Sequence, residues 1–313
     1  MTSPSDPITL RHGRTLPNRL ALAPMTNRQS HPDGTLSDLE IAWLDARARG
    51  GFGLTMTAAA FVSPAGKAWN GQLGVSSDAH VPGLARFADR VRAAGGASAV
   101  QLHHAGLRAD AAASGEQVVA PWADDALGAR ALSTAEVERV VDDFAAAASR
   151  VERAGIDGVE IHGAHGYLLG QFLDAARNTR TDVYGGDYAG RTRIVGEVLD
   201  AIRARTSASF QVGLRLSPER FGVDLAEMVR LTADVMARGD LDYVDLSLWD
   251  VDKLPAGAED GPLLIDHFLT LPRHGTALGV AGHLVSAAGV RSVLAKGADL
   301  AFVGKAAIVD HEF

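Results

Sequence analysis

The sequence predicts an α/β chain folded as a (β/α)8 TIM barrel, one domain spanning residues 1–313. Three observations point there. Short apolar, β-rich runs alternate with longer helical patterns along the whole chain. There are eight such runs, and eight strand–helix units favour closure into a barrel over an open doubly wound sheet. The runs show little polar alternation, as strands covered on both faces should.

In chain order, Ile8–Leu10 and Thr15–Leu16 flank a His-Gly turn and read as a short N-terminal β-hairpin closing the barrel bottom. Disorder is confined to Met1–Pro7 at most. The strand candidates are Arg19–Met25, Leu54–Ala59, Ala97–His103, Gly158–His162, Phe210–Leu216, Tyr243–Leu248, Leu278–Ala281 and Leu300–Val303. Between them lie helix candidates. Ser37–Arg49 opens with a Ser cap followed by an acidic residue. Pro82–Ala94 has Pro at its first position and an apolar face of Leu84, Phe87 and Val91. Thr134–Ala154 opens on Thr134 and Glu136. Tyr188–Arg205, Leu225–Arg238, Leu263–His274 and Ser286–Ala295 complete the set, with Pro272 disturbing the end of the sixth. Gly50, Gly95, Gly155, Gly239 and Gly275 supply helix stops. The eighth strand ends about ten residues before Phe313, so the C-terminus looks curtailed, without room for a full eighth helix.

Composition removes several functions. The net charge is −8 and the arginines form no basic stripe, which disfavours nucleic acid as a partner. No apolar run approaches membrane-span length, and MTSPSDPITL is not a secretory signal, so a cytoplasmic protein with no membrane partner is expected. The absence of cysteine excludes disulfides, thiolate metal sites, cysteine-ligated clusters and cysteine nucleophiles.

Chemistry in such a barrel gathers where the strands end at their C-terminal side. The segments there are Ala23-Pro24-Met25-Thr26-Asn27, Ala59, Gln101-Leu102-His103-His104-Ala105-Gly106 and Glu160-Ile161-His162-Gly163-Ala164-His165-Gly166-Tyr167-Leu168. Strand five adds Arg215, strand seven ends in Ala281-Gly282-His283, and strand eight in Val303-Gly304-Lys305. Barrels of this kind often hold phosphate at the last two loops, where glycines let backbone N–H groups come close.

These motifs, with Asn178-x-Arg180-x-Asp182-x-Tyr184-Gly185-Gly186 and Arg191 downstream, resemble the Old Yellow Enzyme family of NAD(P)H:flavin oxidoreductases along nearly the whole chain. The resemblance implies bound FMN, NADPH or NADH as hydride donor, and an activated alkene as the substrate to be reduced. It implies that Pro24, Met25, Thr26, Ala59, Gln101 and Arg215 hold the flavin, and that Gly282, His283, Gly304 and Lys305 hold its phosphate. It makes His162 and His165 the pair that binds a substrate carbonyl or nitro oxygen, and Tyr167 the proton donor to the α-carbon. Lys305 departs from the family's usual arginine, and a lysine lacks the bidentate fork. The Asn178–Arg191 stretch reads as a structural loop, His103 and His104 as packing residues, and a homodimer is the expected assembly.

Other readings of the same residues stand beside these. Arg215 could be a structural ion pair, His162 and His165 two satisfied histidines or a metal pair, Tyr167 a core tyrosine capping the next helix, and Arg28 a surface charge or an anion contact. No metal is expected, because no third ligand stands near the histidines. Lys305 could serve a class I aldolase, and a flavin-binding protein without turnover would keep the same fold.

Overall fold

The computed structural model describes residues 2–313. Eight parallel strands close into a barrel: β1 (Leu20–Leu22), β2 (Leu54–Phe61), β3 (Ala97–His103), β4 (Gly158–Gly163), β5 (Gln211–Leu216), β6 (Tyr243–Ser247), β7 (Ala277–Ala281) and β8 (Leu300–Val303). Each pairs with its neighbours in sequence. Closure comes from β8 against β1 through Leu20↔Ala301, Ala21↔Phe302 and Leu22↔Val303. A closed sheet leaves no unpaired edge, which is why every strand can be buried on both faces.

The barrel helices are α1 (Asp38–Arg49), α2 (Val81–Ala93), α3 (Thr134–Arg153), α4 (Tyr188–Arg205), α5 (Leu225–Ala237), α6 (Asp266–Leu269), α7 (Ala287–Lys296) and α8 (Lys305–Val309). The Ser37 hydroxyl caps α1 by accepting the Glu40 N–H. At α3 the cap is Ser133, not Thr134. Glu136 reaches back to it in a capping box, and Thr134 becomes the first helical residue. Among the described residues no helix is long and apolar enough to cross a membrane.

Three expectations are corrected. The sixth helix is one turn rather than Leu263–His274, because Pro272 cannot continue an α-helical ladder and pushes the residue before it out of the helical region. The first strand stops at Leu22, short of Pro24. The N-terminal hairpin is reduced to one antiparallel bridge, in which Ile8 and Leu16 exchange bonds of 3.1 and 2.9 Å. In keeping with a curtailed C-terminus, the eighth helix is only the single turn Lys305–Val309. It is tied to α1 by Arg47, whose Nε donates to the Ala307 carbonyl at 3.0 Å. Met1 lies outside the described residues, while Arg19 N–H donates to Pro4 O and fixes the segment after it.

Because side chains alternate along a strand, each strand sends every second residue into the barrel. The lower interior is apolar, with Ala21, Leu54, Met56, Ala97, Ala99, Leu300 and Phe302 packed beneath Leu10 and Leu16 of the N-terminal segment. Tyr243 fills the space beside Gly213, where a Cβ would lie 2.2 Å from its ring, so β5 needs glycine there. One or two steps up the same strands the interior turns polar: Gln101, Glu160, His162, Arg215, Asp245 and Ser247. The outer faces pack on the helices in a second, larger apolar layer.

Candidate active site

Two groups of residues meet at the C-terminal end of the barrel. The first lines a cavity of about 530 Å3 that includes Pro24, Met25, Arg215, Gly282, His283, Gly304 and Lys305, seven of the thirteen residues predicted from sequence. Ser247, Trp249 and Asp250 complete its wall. A Cβ on Gly282 would come within 3.1 Å of the Asp250 backbone nitrogen, so the glycine keeps that wall open. Lys305 stands exposed at the rim, and His283 Nδ1 lies 3.4 Å from Asp250 Oδ2.

The second group does not line that cavity. His162 is buried and its Nδ1 accepts the Ala164 N–H at 3.3 Å, which leaves the proton on Nε2. That Nε2–H donates to His165 Nδ1 at 3.2 Å, and His165 Nε2–H donates onward to Ser247 Oγ at 2.8 Å. Arg215 Nη2 reaches the same hydroxyl at 3.4 Å. Ser247 therefore joins the histidine pair to the cavity. His165 holds a left-handed backbone (φ 60°), and its N–H donates to Ser217 Oγ at 3.0 Å. The Tyr167 ring stands edge-on to His162 at 5.0 Å and to His103 at 4.3 Å. Tyr167 begins the one-turn helix Leu168–Phe172, yet its phenol makes no cap bond, so capping does not account for the side chain.

Burial sets the charge of this group. It pulls the His165 and His103 pKa values down to about 3 and His104 to about 4, and holds His162 well below its ordinary value. All four are neutral at pH 7, so His162 and His165 act as neutral N–H donors. His103 is more than packing: its Nδ1 meets Gln72 Nε2 at 3.1 Å, while its buried Nε2 has no partner. His104 does pack, under Gly66, with Nδ1 accepting the Gly106 N–H.

Gln101 is buried and oriented by Glu160, whose Oε1 accepts Gln101 Nε2–H at 2.7 Å. Ala59 is its register partner on β2, and the Ala59 carbonyl accepts from Gln72 at 3.1 Å. Arg215 Nε lies 3.1 Å from Asp245 Oδ2, an ion-pair distance without hydrogen-bond alignment, so both atoms remain unsatisfied. Two buried carboxyls thus share one guanidinium. Desolvation raises both Glu160 and Asp245 above the ordinary carboxyl range. Thr26 is exposed just past Met25 and is not among the residues that line the cavity.

Sequence reasoning missed Ser247, Asp245, Trp249 and Asp250. The first two were legible, because Tyr243-Val-Asp-Leu-Ser alternates and puts every polar residue on one face. The loop Asn178–Arg191 is structural, as expected. Asn178 Nδ2 donates to the Phe172 and Tyr184 carbonyls, Arg180 pairs with Asp182, and Arg191 pairs with Glu227.

Comparison with known proteins agrees with this architecture. The sequence profile of the NADH:flavin oxidoreductase / NADH oxidase family matches residues 6–313. The probable NADH-dependent flavin oxidoreductase YqiG of Bacillus subtilis is 37% identical, over 97% of this chain and 85% of its own. An NADPH dehydrogenase of Bacillus licheniformis is 32% identical, over 95% and 89%. Among solved structures, the Old Yellow Enzyme homologue of Zymomonas mobilis superposes with a TM-score of 0.87 at 28% identity, covering 99% of this chain and 90% of the other.

Proposed function

Because the chain belongs to the Old Yellow Enzyme family of FMN-dependent NAD(P)H oxidoreductases, we propose that its substrate is an activated alkene, an α,β-unsaturated carbonyl compound or a nitroalkene. The cavity suits FMN. It has the size for a flavin mononucleotide, an unsatisfied buried guanidinium nitrogen on Arg215, and a glycine-lined end with the His283 imidazole and the Lys305 ammonium. Pro24, Met25, Gln101 and Arg215 would hold the flavin, and Gly282, His283, Gly304 and Lys305 its phosphate. Held there, FMN would supply the hydride chemistry that links the nicotinamide to the alkene β-carbon.

The remaining chemistry falls to side chains. In this reading the substrate oxygen displaces His165 as acceptor of the His162 Nε2–H and takes a second bond from His165. The His162 Nε2–H is a neutral donor already in place, while His165 gives its bond by turning its Nε2–H from Ser247 to the substrate oxygen, and together the two stabilise the developing enolate. Tyr167 delivers a proton from its phenol to the α-carbon as general acid. One observation carries the proposal: a phenol with no cap bond stands 5.0 Å from a histidine pair that burial keeps neutral. The aldolase alternative loses its lysine, since Lys305 is exposed and Schiff-base chemistry needs a desolvated amine.

Separate half-reactions test the proposal. Tyr167→Phe should slow reoxidation of the reduced holoenzyme by an enone about 100-fold or more, and leave reduction by NADPH or NADH near the wild-type rate. Equal losses in both halves would remove Tyr167 from the proton-donor role.

A further inference from the structure

Although the chain carries 38 acidic against 30 basic residues, four exposed cations at its mouth have no acidic partner among the described residues. Elsewhere most arginines lie within 4.0 Å of a carboxylate, as Arg130, Arg180, Arg191, Arg203 and Arg238 do. Arg28 after β1, Arg108 after β3, Arg220 after β5 and Lys305 after β8 are exposed, and among the described residues none pairs with Asp or Glu. An exposed cation without a partner at the rim of a concave site draws anions.

Of the four, Arg108 alone touches the proposed chemistry. Its Nη1 donates to the His165 carbonyl at 2.6 Å, and its guanidinium carbon lies 4.8 Å above the Tyr167 ring. The turn Gly106–Arg108 beneath it is fixed by Gln171, whose Oε1 accepts the Leu107 N–H at 3.1 Å. The guanidinium is therefore held over the phenol with most of its five N–H groups uncommitted. Arg220 instead stacks on Trp249 at 4.9 Å, and Lys305 stands at the phosphate end of the cavity.

We propose that Arg108 is a specificity-determining residue that recognises a carboxylate carried by the substrate beyond its reacting double bond. The inference rests on the activated-alkene reading. An arginine that offers parallel N–H groups to a carboxylate discriminates sharply against the uncharged ester, because the ester cannot accept the paired charge-assisted bonds. An anion of a second source, a phosphate of the nicotinamide dinucleotide, would satisfy the same guanidinium, so the two half-reactions must be read apart.

The experiment uses wild-type holoenzyme, Arg108→Gln and Arg108→Lys. Each is reduced anaerobically and reoxidised with 6-oxohept-4-enoate or with its methyl ester, which share one enone, separated from the carboxyl by two methylenes, and differ in charge. Wild type should prefer the acid by about tenfold in the second-order rate constant, the scale of one charge-assisted contact. In Arg108→Gln the acid-to-ester ratio should fall to about one through weaker binding of the acid, and Arg108→Lys should keep part of it. Reduction by NADH and by NADPH, measured separately, should respond alike and by less than about twofold. Parallel loss of acid and ester in Arg108→Gln would overturn the inference, leaving Arg108 as a prop for His165 and Tyr167. A loss confined to the reductive half would also overturn it and assign the guanidinium to the dinucleotide phosphate. Ester turnover without any preference for the acid sinks Arg108 alone. Failure of the reduced wild type to react with either probe sinks the activated-alkene reading and this inference with it.

Discussion

The floor and the mouth of this barrel are built by the same strands, a few residues apart, and they obey opposite rules. The floor is apolar and closed, with Leu54, Met56, Leu300 and Phe302 packed under Leu16. Its charges are paired at the edge: Asp242 takes bonds from the His12 N–H at 2.7 Å and from Arg203 Nη2 at 3.0 Å. The mouth keeps two carboxyls for one guanidinium, holds four neutral histidines, and leaves atoms of Glu160, Asp245, Arg215 and His103 without partners. Backbone strain divides in the same way. Among the described residues seven that are not glycine have positive φ, and six of them follow the C-terminal ends of strands: Arg28, His165, Arg220, Phe221, Trp249 and His283. The floor supplies stability, and the mouth spends part of it on pre-arranged polar groups.

The largest test of that division is a cavity in the floor. Leu54→Ala removes a fully buried side chain from the apolar cluster, and it should cost about 2–5 kcal/mol of unfolding free energy. FMN affinity and the alkene half-reaction should stay near wild type. Denaturant melts of the variant alongside FMN titration measure both. A large loss of FMN affinity at unchanged stability would mean that the floor and the mouth are one mechanical unit.

How much could be read beforehand follows the same line. The eight strands were legible because a strand buried on both faces leaves an unbroken apolar run, and β3 and β8 match their predicted ends. Helix caps were legible where one hydroxyl precedes an acidic turn; they slipped by one residue at Ser133-Thr134, where two hydroxyls compete. The one-turn helix Ala111–Ser114 carries local signals that were passed over, the Asp110 cap and the left-handed Gly115, whereas nothing in local pattern announces the two-stranded ribbon Val119–Ala120 with Arg130–Ala131. In the site, Gln101, Arg215 and His162 were visible as polar residues on apolar strands. Ser247 and Asp245 carry the same signal. Arg108 was unreadable, since its place over Tyr167 depends on how two loops fold together.

A smaller effect should appear in the pH dependence of stability. Glu160 faces Asp245, Arg215, Gln101 and Tyr243, and desolvation, followed by the Asp245 charge, raises its pKa. A carboxyl whose folded pKa is raised keeps its proton in the native state after the unfolded chain has lost it. Its contribution is full below the unfolded pKa and is lost as pH rises through the folded value. The buried histidines, depressed in the fold, act oppositely, but only below about pH 6.5, the ordinary histidine value, because above it both states are neutral. From neutral pH upward the carboxyl effect therefore stands alone. Glu160→Gln, uncharged throughout, should gain on the wild type with rising pH, by up to about 1 kcal/mol per unit. Melting both proteins from pH 7 to 9 reads this directly, and parallel curves would mean that Glu160 is ionised in the native protein.

The smallest effect tests strain in the mouth. Trp249 is 73% exposed, holds φ at 69° and touches Arg220 across 4.9 Å. A left-handed conformation costs an ordinary residue about 1–2 kcal/mol, and glycine adopts it freely but gives back about 0.5–1 kcal/mol through a looser unfolded chain. Trp249→Gly should thus raise the unfolding free energy slightly, by no more than about 1 kcal/mol once both effects are counted. The same change opens the cavity wall, so FMN or substrate should bind more weakly. His274, whose φ of 48° lies in the loop before β7 at the floor, is the control. Its glycine variant should gain a similar amount of stability with no loss of binding. If both variants gain stability and only Trp249→Gly binds worse, strain at the mouth serves the site; if Trp249→Gly loses stability, the Arg220 stack outweighs the strain and the residue belongs to the packing of the rim.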